Sequence, residues 1–184
     1  MPRASERTRR SGSAPANEWR STSRRERESA RALDVADLDA DLVGVSSLLL
    51  DTSTLIAYLE GGRAESGLAA TLVERHVASG RITAVVSTVT EMELLVGPLR
   101  NGRDDIARTI REFLRECPNL VVHAVSEDVA YEAALLRAVA RLAPADALIV
   151  ATGIRAGVGA LVTADREWER LASLDRVPRV IYLS

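Results

Sequence analysis

The chain has 184 residues, 47% of them hydrophobic and 27% charged, and its formal net charge is −2. This length suits one well-packed domain with an appendage and excludes two full domains, and the near-neutral balance argues against nucleic-acid binding by bulk charge alone. The sequence contains no lysine, which excludes Walker-type phosphate loops and Schiff-base chemistry. The single cysteine cannot form an internal disulfide, and no apolar run is long enough to span a membrane, so we expect a cytoplasmic protein.

Residues 1–45 are predicted to be a disordered extension, because they are rich in Arg, Ser and Glu and offer little that could enter a core. Within them, residues 33–42 could form one or two helical turns. The twin arginines are not followed by an apolar stretch, which argues against an export signal. The extension is either a basic arm that contacts RNA phosphates, or a solvated tail, or the result of a start codon upstream of the real one.

From residue 46 onward, patterns of buried strands alternate with helical patterns. Strands are predicted at 46–51, 82–88, 119–125, 159–165 and 179–183. Helices are predicted at 52–59, 64–79, 89–97, about 106–116, 126–142 and from 144 onward. The helix at 89–97 is expected to stop near Gly97, since Pro98 follows. Alternating strands and helices predict an α/β fold in three layers, with a mostly parallel five-stranded sheet covered by helices on both faces.

Acidic residues follow two of these strands. Asp51 ends the first strand and Asp165 ends the fourth, and the two strands could be neighbours where the strand order reverses. Ligands of such sheets bind at the carboxyl ends of the strands, near that point. Asp146 lies in the first turn of its helix, above a stripe of apolar and small residues, so we expect it beside Asp51.

Two further acids, Glu91 and Glu93, begin the helix after the second strand. They point to nearly opposite sides of that helix, so at most one of them faces the other acids. Each acid alone has an ordinary explanation, as a helix cap or as a solvated helix charge. His76 and His123 are expected at the surface or on a strand face, away from the acids.

Several carboxylates at one place cannot all ionise unless something compensates their charge. A divalent cation would do so, and oxygen ligands without histidine or cysteine favour Mg²⁺, or Mn²⁺, over zinc. Such a site predicts metal-assisted hydrolysis of a phosphate ester. Phosphotransfer enzymes that place an aspartate after a strand also need a lysine, which this chain lacks.

Four stretches together resemble a PIN domain, and most of all the VapC-type toxins of bacterial toxin–antitoxin pairs. They are "LLLDTSTLIAYLEG", "STVTEMELLVG", "PADALIVATGIRAGVGALVTADREWERL" and the closing "RVIYL". The resemblance covers residues 46–184, which we therefore expect to form one PIN-like nuclease domain. The sequence departs from the family in its long N-terminal extension and in Trp168, which stands where the family often has phenylalanine.

The resemblance implies a role for each acid. Asp51 would be the first metal ligand, Asp146 would complete the Mg²⁺ site, and Asp165 would help to hold the metal or the attacking water. The family's helical glutamate precedes an "LLxG"-like sequence, which selects Glu93 over Glu91. The predicted catalytic residues and metal ligands are thus Asp51, Glu93, Asp146 and Asp165, with Ser53 and Thr163 as small polar neighbours.

The resemblance further implies an endoribonuclease that is a homodimer and is neutralised by a cognate antitoxin protein. The alternative is a catalytically silent PIN-like module that binds RNA or a partner without cutting. The crowded carboxylates argue against this alternative, since a silent scaffold has no physical need for them.

Overall fold

A computed structural model describes residues 34–61 and 64–183, and its elements follow the predicted order. The strands are β1 (Ser47–Leu50), β2 (Thr83–Ser87), β3 (Leu120–His123), β4 (Ala160–Thr163) and β5 (Arg179–Tyr182). The helices are α1 (Val35–Asp41), α2 (Thr52–Glu60), α3 (Ala64–Ala70, continued by a π-helix over Thr71–Val77), α4 (Thr88–Arg100), α5 (Asp104–Glu116), α6 (Glu127–Ala140) and α7 (Pro144–Ala156). A 3₁₀ turn, Arg166–Leu171, lies between β4 and β5.

The five strands form one parallel sheet in the order β3-β2-β1-β4-β5. Strand β1 lies at its centre, where Leu49 pairs with Val85 of β2 and Leu161 of β4. The chain leaves β1 toward β2 and β3 and returns on the other side to β4 and β5, so the strand order reverses at β1 and β4. The predicted α/β class and the neighbouring placement of these two strands are confirmed.

Successive residues of β1 point to opposite faces of the sheet, as in any strand. Leu48 and Leu50 join a core with α1 to α5, whereas Leu49 joins a second core with α6, α7 and the 3₁₀ turn. All three leucines are fully buried. The sheet is therefore the middle of three layers, and its continuous apolar strands reflect burial on both faces.

Helix α7 lies unusually close to the sheet at Gly153. A Cβ atom at this position would meet Leu161 Cδ2 at 2.8 Å and Leu49 Cβ at 3.2 Å. Only glycine permits this approach, which sets the height of α7, and with it of Asp146, over the strands.

Two predicted boundaries are wrong. Helix α4 does not stop at Gly97 but continues through Pro98 to Arg100. Proline there removes a single hydrogen bond near the helix end, which the chain tolerates, and the helix closes at Asn101, whose N–H donates to the carbonyl of Gly97 at 3.2 Å.

The predicted disorder of residues 1–45 does not hold where the chain is described. Helix α1 is capped by Asp34, and Leu38 and Leu42 are buried in the core, so the one or two turns considered for 33–42 do form. They form because leucines spaced four apart find the core beside α3. Residues 1–33 lie outside the described part of the chain.

His123 lies where it was expected, at the surface on a strand, whereas His76 does not. His76 is buried in the π-helix, and its Nε2 lies 2.8 Å from Asp39 Oδ1 of α1. His123 is exposed at the carboxyl end of β3, separated from β1 by β2. Within the described residues, no helix is long and apolar enough to cross a membrane.

Candidate active site

Asp51 lies at the carboxyl end of β1, where it begins helix α2 and is 4% exposed. Its backbone N–H still donates to Val162 of β4 at 3.0 Å, which ties this end of β1 to the neighbouring strand. The carboxylate makes no capping hydrogen bond to the helix, so the ordinary explanation as a helix cap does not hold. Burial raises the pKa of Asp51 above its usual value, although hydrogen bonds from side chains and nearby amides oppose this.

Two hydroxyl groups hold the Asp51 carboxylate. Ser53 Oγ donates to Asp51 Oδ2 at 2.6 Å, and Thr163 Oγ1 donates to the same atom at 2.7 Å. Each hydroxyl also accepts a backbone N–H from the chain after β4, from Ala164 at 2.8 Å and from Asp165 at 2.9 Å. These four bonds join the carboxyl ends of β1 and β4, and they leave Asp51 Oδ1 facing away from both hydroxyls.

Asp165 follows β4 on the same rim of the sheet. Its Oδ1 accepts the N–H of Glu167 at 2.8 Å and so caps the 3₁₀ turn. The side chain is partly exposed. This hydrogen bond occupies one oxygen of Asp165 and fixes the position of its carboxylate.

Asp146 is in the first turn of α7 and partly exposed. It is not a cap, since Ala143 occupies the capping position. Desolvation raises its pKa, and the negative charges of Asp51, Asp165 and Glu93 raise the pKa further. The structure therefore brings Asp51, Glu93 and Asp165 within electrostatic reach of Asp146.

The two glutamates of α4 separate as their spacing predicts. Glu93 faces the site, where its Oε2 accepts a hydrogen bond from Thr52 Oγ1 at 2.5 Å. Glu91 turns to the opposite side and pairs with Arg111 of α5 at 3.2 Å. The geometry thus favours Glu93 as the site glutamate.

The donor set fits a divalent cation, although it is not assembled as a cage. In the described ranges, no three carboxyl, imidazole or thiol groups stand close enough to ligate one ion. The carboxylate oxygens of the four acids are nevertheless the hard ligands that Mg²⁺ or Mn²⁺ prefers. Desolvation raises the pKa of Asp146 and the three other negative charges raise it further, an effect that a bound cation would oppose.

Two neighbours of the acids were not predicted as functional. Thr52, which holds Glu93, carries no signal beyond its position one residue after Asp51. Trp168 was noted only as an aromatic exchange, yet it is fully buried and its indole N–H approaches the Asp146 carboxyl, which lowers the pKa of that group. The approach falls short of a hydrogen bond of good geometry, because Nε1 has no bonding partner.

Comparison with known proteins places this fold and site in context. The model of the PIN domain family matches residues 48–174, whereas no curated protein matches the chain.

Several solved structures are similar to it. A toxin–antitoxin complex from Klebsiella pneumoniae has 23% identity and a TM-score of 0.53, covering 74% of this chain and 98% of that one. A DNA-bound VapBC complex from Salmonella typhimurium has 22% identity and a TM-score of 0.56, covering 75% and 98%. The sarcin–ricin-loop-cleaving toxin VapC20 of Mycobacterium tuberculosis has 22% identity and a TM-score of 0.54, covering 71% and 98%.

At these identities the solved structures show the fold alone, while the family match spans most of the chain and includes all four acids. The chain belongs to the PIN domain family.

Proposed function

We propose that this protein is an Mg²⁺-dependent endoribonuclease that hydrolyses phosphodiester bonds in RNA and is the toxin of a toxin–antitoxin pair. One observation carries the proposal: Asp146 shares its surroundings with three other carboxylates at the rim where parallel sheets bind ligands. Family membership supports a nuclease, and one similar structure is described as a toxin that cleaves the sarcin–ricin loop.

In this proposal the residues that would hold the cation are Asp51, Glu93, Asp146 and Asp165. When bound there, a divalent cation would lower the pKa of a water molecule and offset the negative charge on the phosphoryl oxygens. Ser53 and Thr163 hold Asp51 in place through Oδ2 and leave its other oxygen available. Asp165, fixed by its bond to the backbone of the 3₁₀ turn, keeps one oxygen for the ion or for the attacking water.

A groove between three helices is a suitable binding surface for the antitoxin. A groove of about 790 Å³ runs between α2, α4 and α5. Its apolar wall includes Ile56, Leu94 and Ile110, and Leu94 directly follows the site residue Glu93. An apolar peptide segment bound here would end beside the carboxylates, where a basic side chain could block them.

The homodimer has a candidate surface on α6. Tyr131 and Val139 are 69% and 65% exposed, and Ala134 and Ala138 between them are exposed as well. These four side chains form an exposed apolar strip, a feature that often marks a protein interface. Replacing Tyr131 by arginine should convert a dimer into a monomer in light-scattering measurements.

The proposed activity is tested with the purified full chain and an RNA substrate. We expect cleavage with Mg²⁺ and none with EDTA, and a loss of at least about 100-fold in Asp51→Asn and in Asp146→Asn, since losing a metal ligand should exceed the loss of an outer-shell partner. Asp105→Asn is the matched control, because Asp105 is an exposed acid paired with Arg103 away from the site. Equal cutting by all variants, with or without EDTA, would falsify the proposal.

The silent alternative predicts a different outcome. A folded protein that binds RNA but never cuts it, under any divalent cation, would be a PIN-like binding module. For the toxin role, expression of the intact gene should slow growth unless a small gene next to it, encoding the antitoxin, is expressed as well. Normal growth without that neighbour would count against the toxin assignment.

Residues 1–33 belong, in this proposal, to an extension appended to the nuclease domain. We expect a chain that begins at Leu33 to retain metal-dependent cleavage, because every acid of the site and its hydrogen-bond partners lie between Asp51 and Trp168. If the extension is an arm on RNA phosphates, its removal will weaken RNA binding most strongly at low salt.

A further inference from the structure

A buried and unpaired indole lies beside the acidic site. Trp168 is 0% exposed, and its Nε1 atom has no hydrogen-bond partner in the described part of the chain. Buried N–H groups in proteins nearly always have an acceptor, and the indole N–H of a buried tryptophan usually finds one. This unpaired donor therefore calls for an explanation.

The position of Trp168 links two of the acids. It lies in the 3₁₀ turn that Asp165 caps, and its ring packs in the core that contains Ala147, the residue after Asp146. The indole thus reaches from the segment of one acid to the helix of the other. Its N–H approaches the Asp146 carboxyl closely enough to lower the pKa of that group, and no other acceptor in the described residues pairs with it.

Packing alone does not require this donor. A phenylalanine would fill much of the same space without burying a polar group. Leu171 shows the contrast, since it lies in the same turn and the same core, is 1% exposed, and contains only carbon in its side chain. A nitrogen buried at the edge of a carboxylate cluster is better explained by the carboxylate.

We propose that Trp168 is a positioning residue whose indole N–H donates a hydrogen bond to the Asp146 carboxylate when that carboxylate binds a divalent cation. The bond sets the orientation of the carboxylate relative to Asp165, because both are tied to the same turn. Hydrogen bonds to an ionised acceptor are strong and directional. Hydrogen bonds from neighbouring residues to metal ligands orient those ligands. This inference rests on the proposed metal site.

A nuclear magnetic resonance measurement on the full chain tests the hydrogen bond directly. The sequence contains only two tryptophans, Trp19 and Trp168, so ¹⁵N-labelled indoles give two signals, and Trp168→Phe identifies one of them. We expect the Trp168 N–H signal to move downfield as Mg²⁺ is added. The same movement should be absent in Asp146→Asn.

A second measurement compares Mg²⁺ affinity by calorimetry. Trp168→Phe should weaken Mg²⁺ binding about tenfold, at the low end of the range for outer-shell partners. Leu171→Val is the control in the same turn: it removes one buried carbon and no polar atom, and it should leave the affinity unchanged. Replacing the indole by benzothiophene, which keeps the shape and removes only the N–H, should reproduce the loss seen in Trp168→Phe.

The outcomes separate this inference from the proposed function. If Mg²⁺ binds and RNA is cut while the indole signal stays in place, or if Trp168→Phe and Leu171→Val weaken binding equally, the positioning role is wrong and the nuclease stands. If the indole signal moves with Mg²⁺ but RNA is never cut, the positioning role stands and the nuclease is wrong. If Mg²⁺ does not bind at all, both are wrong.

Discussion

The two halves of the acidic site are built in different ways. Asp51 and Asp165 form the sheet half: they end neighbouring parallel strands and are joined by the hydroxyls of Ser53 and Thr163. Glu93 and Asp146 form the helix half. Glu93 lies in the second turn of α4 and is held by a single hydroxyl, whereas Asp146 lies in the first turn of α7 and is approached by a buried indole.

The two halves differ in the interactions that fix the positions of their carboxylates. In the sheet half, the ladder of β1 and β4 and four additional hydrogen bonds fix both carboxylates, so little can move. In the helix half, the positions depend on how two helices pack on opposite faces of the sheet. The carboxylates of the sheet half thus depend on local hydrogen bonds and those of the helix half on helix packing, and substitutions can test this difference.

Among substitutions that keep all four acids, the largest effect is expected at the hydroxyls of the sheet half. Thr163→Val removes a donor to Asp51 and an acceptor of the Asp165 N–H, so RNA cleavage should fall about 10- to 100-fold. Thr54→Val is the matched control, because Thr54 is equally buried and bonds the Val162 carbonyl but touches no acid. Cleavage assays under saturating Mg²⁺ should show the control near the wild-type rate. Equal losses would mean that the hydroxyls serve folding alone.

Substitutions of the two glutamates of α4 should have different effects on RNA cleavage. Glu93→Gln keeps the shape and the bond to Thr52 but removes the charge of a proposed metal ligand, and we expect cleavage to fall by at least about tenfold, the lower limit for outer-shell partners. Glu91→Gln removes only a half-exposed pair with Arg111 and should leave the rate unchanged. The opposite result would assign the site to Glu91.

The packing of α7, the helix that carries Asp146, against the sheet can be disturbed at Gly153. Gly153→Ala places a Cβ atom against Leu161 and Leu49 and should lower the free energy of unfolding by about 1–3 kcal/mol. Gly67→Ala in α3 has open space around it and should raise that free energy by about 0.5–1 kcal/mol. Denaturant titrations measure both. If Gly153→Ala is as stable as the wild type, α7 lies higher above the sheet than the structure shows.

The smallest effect is the dependence of metal-free stability on pH. Burial raises the pKa of Asp51 in the folded state, so the folded chain holds this proton more tightly than the unfolded chain. The contribution of Asp51 to the stability of the folded chain is greatest at low pH, and it is lost as the pH rises through the folded-state pKa of this residue. In EDTA, Asp51→Asn should therefore gain stability over the wild type between acid and neutral pH. Asp146→Asn should gain less, because Asp146 is more exposed.

Thermal unfolding at several pH values measures this difference. With Mg²⁺ the order should reverse, because an ion that binds only the folded wild type stabilises it. An Asp51→Asn protein that is less stable than the wild type in EDTA at neutral pH would show that the hydroxyl bonds outweigh the cost of burial.

Much of the fold could be predicted from the sequence because its signals are local. The run "SLLL" and the alternation of strands and helices are read from neighbouring residues, and they define a parallel sheet buried on both faces. The end of α4 could not be read in this way, because Pro98 costs one hydrogen bond and tertiary packing outweighs that cost. The burial of Leu38 could not be predicted either. A helix this short with few apolar residues is stable only when it packs against another surface of the protein.

The sequence by itself determined which acidic residues end the strands and begin the helices, with Asp51 and Asp165 at strand ends, and it determined the absence of lysine. Only the tertiary structure decided what surrounds them. It placed β1 beside β4, turned Glu93 inward and Glu91 toward Arg111, and brought the hydroxyl of Thr163 and the indole of Trp168 to acids far away in the chain. A carboxylate is a property of one residue, whereas its partners depend on strand order and helix packing, which no single stretch of sequence contains.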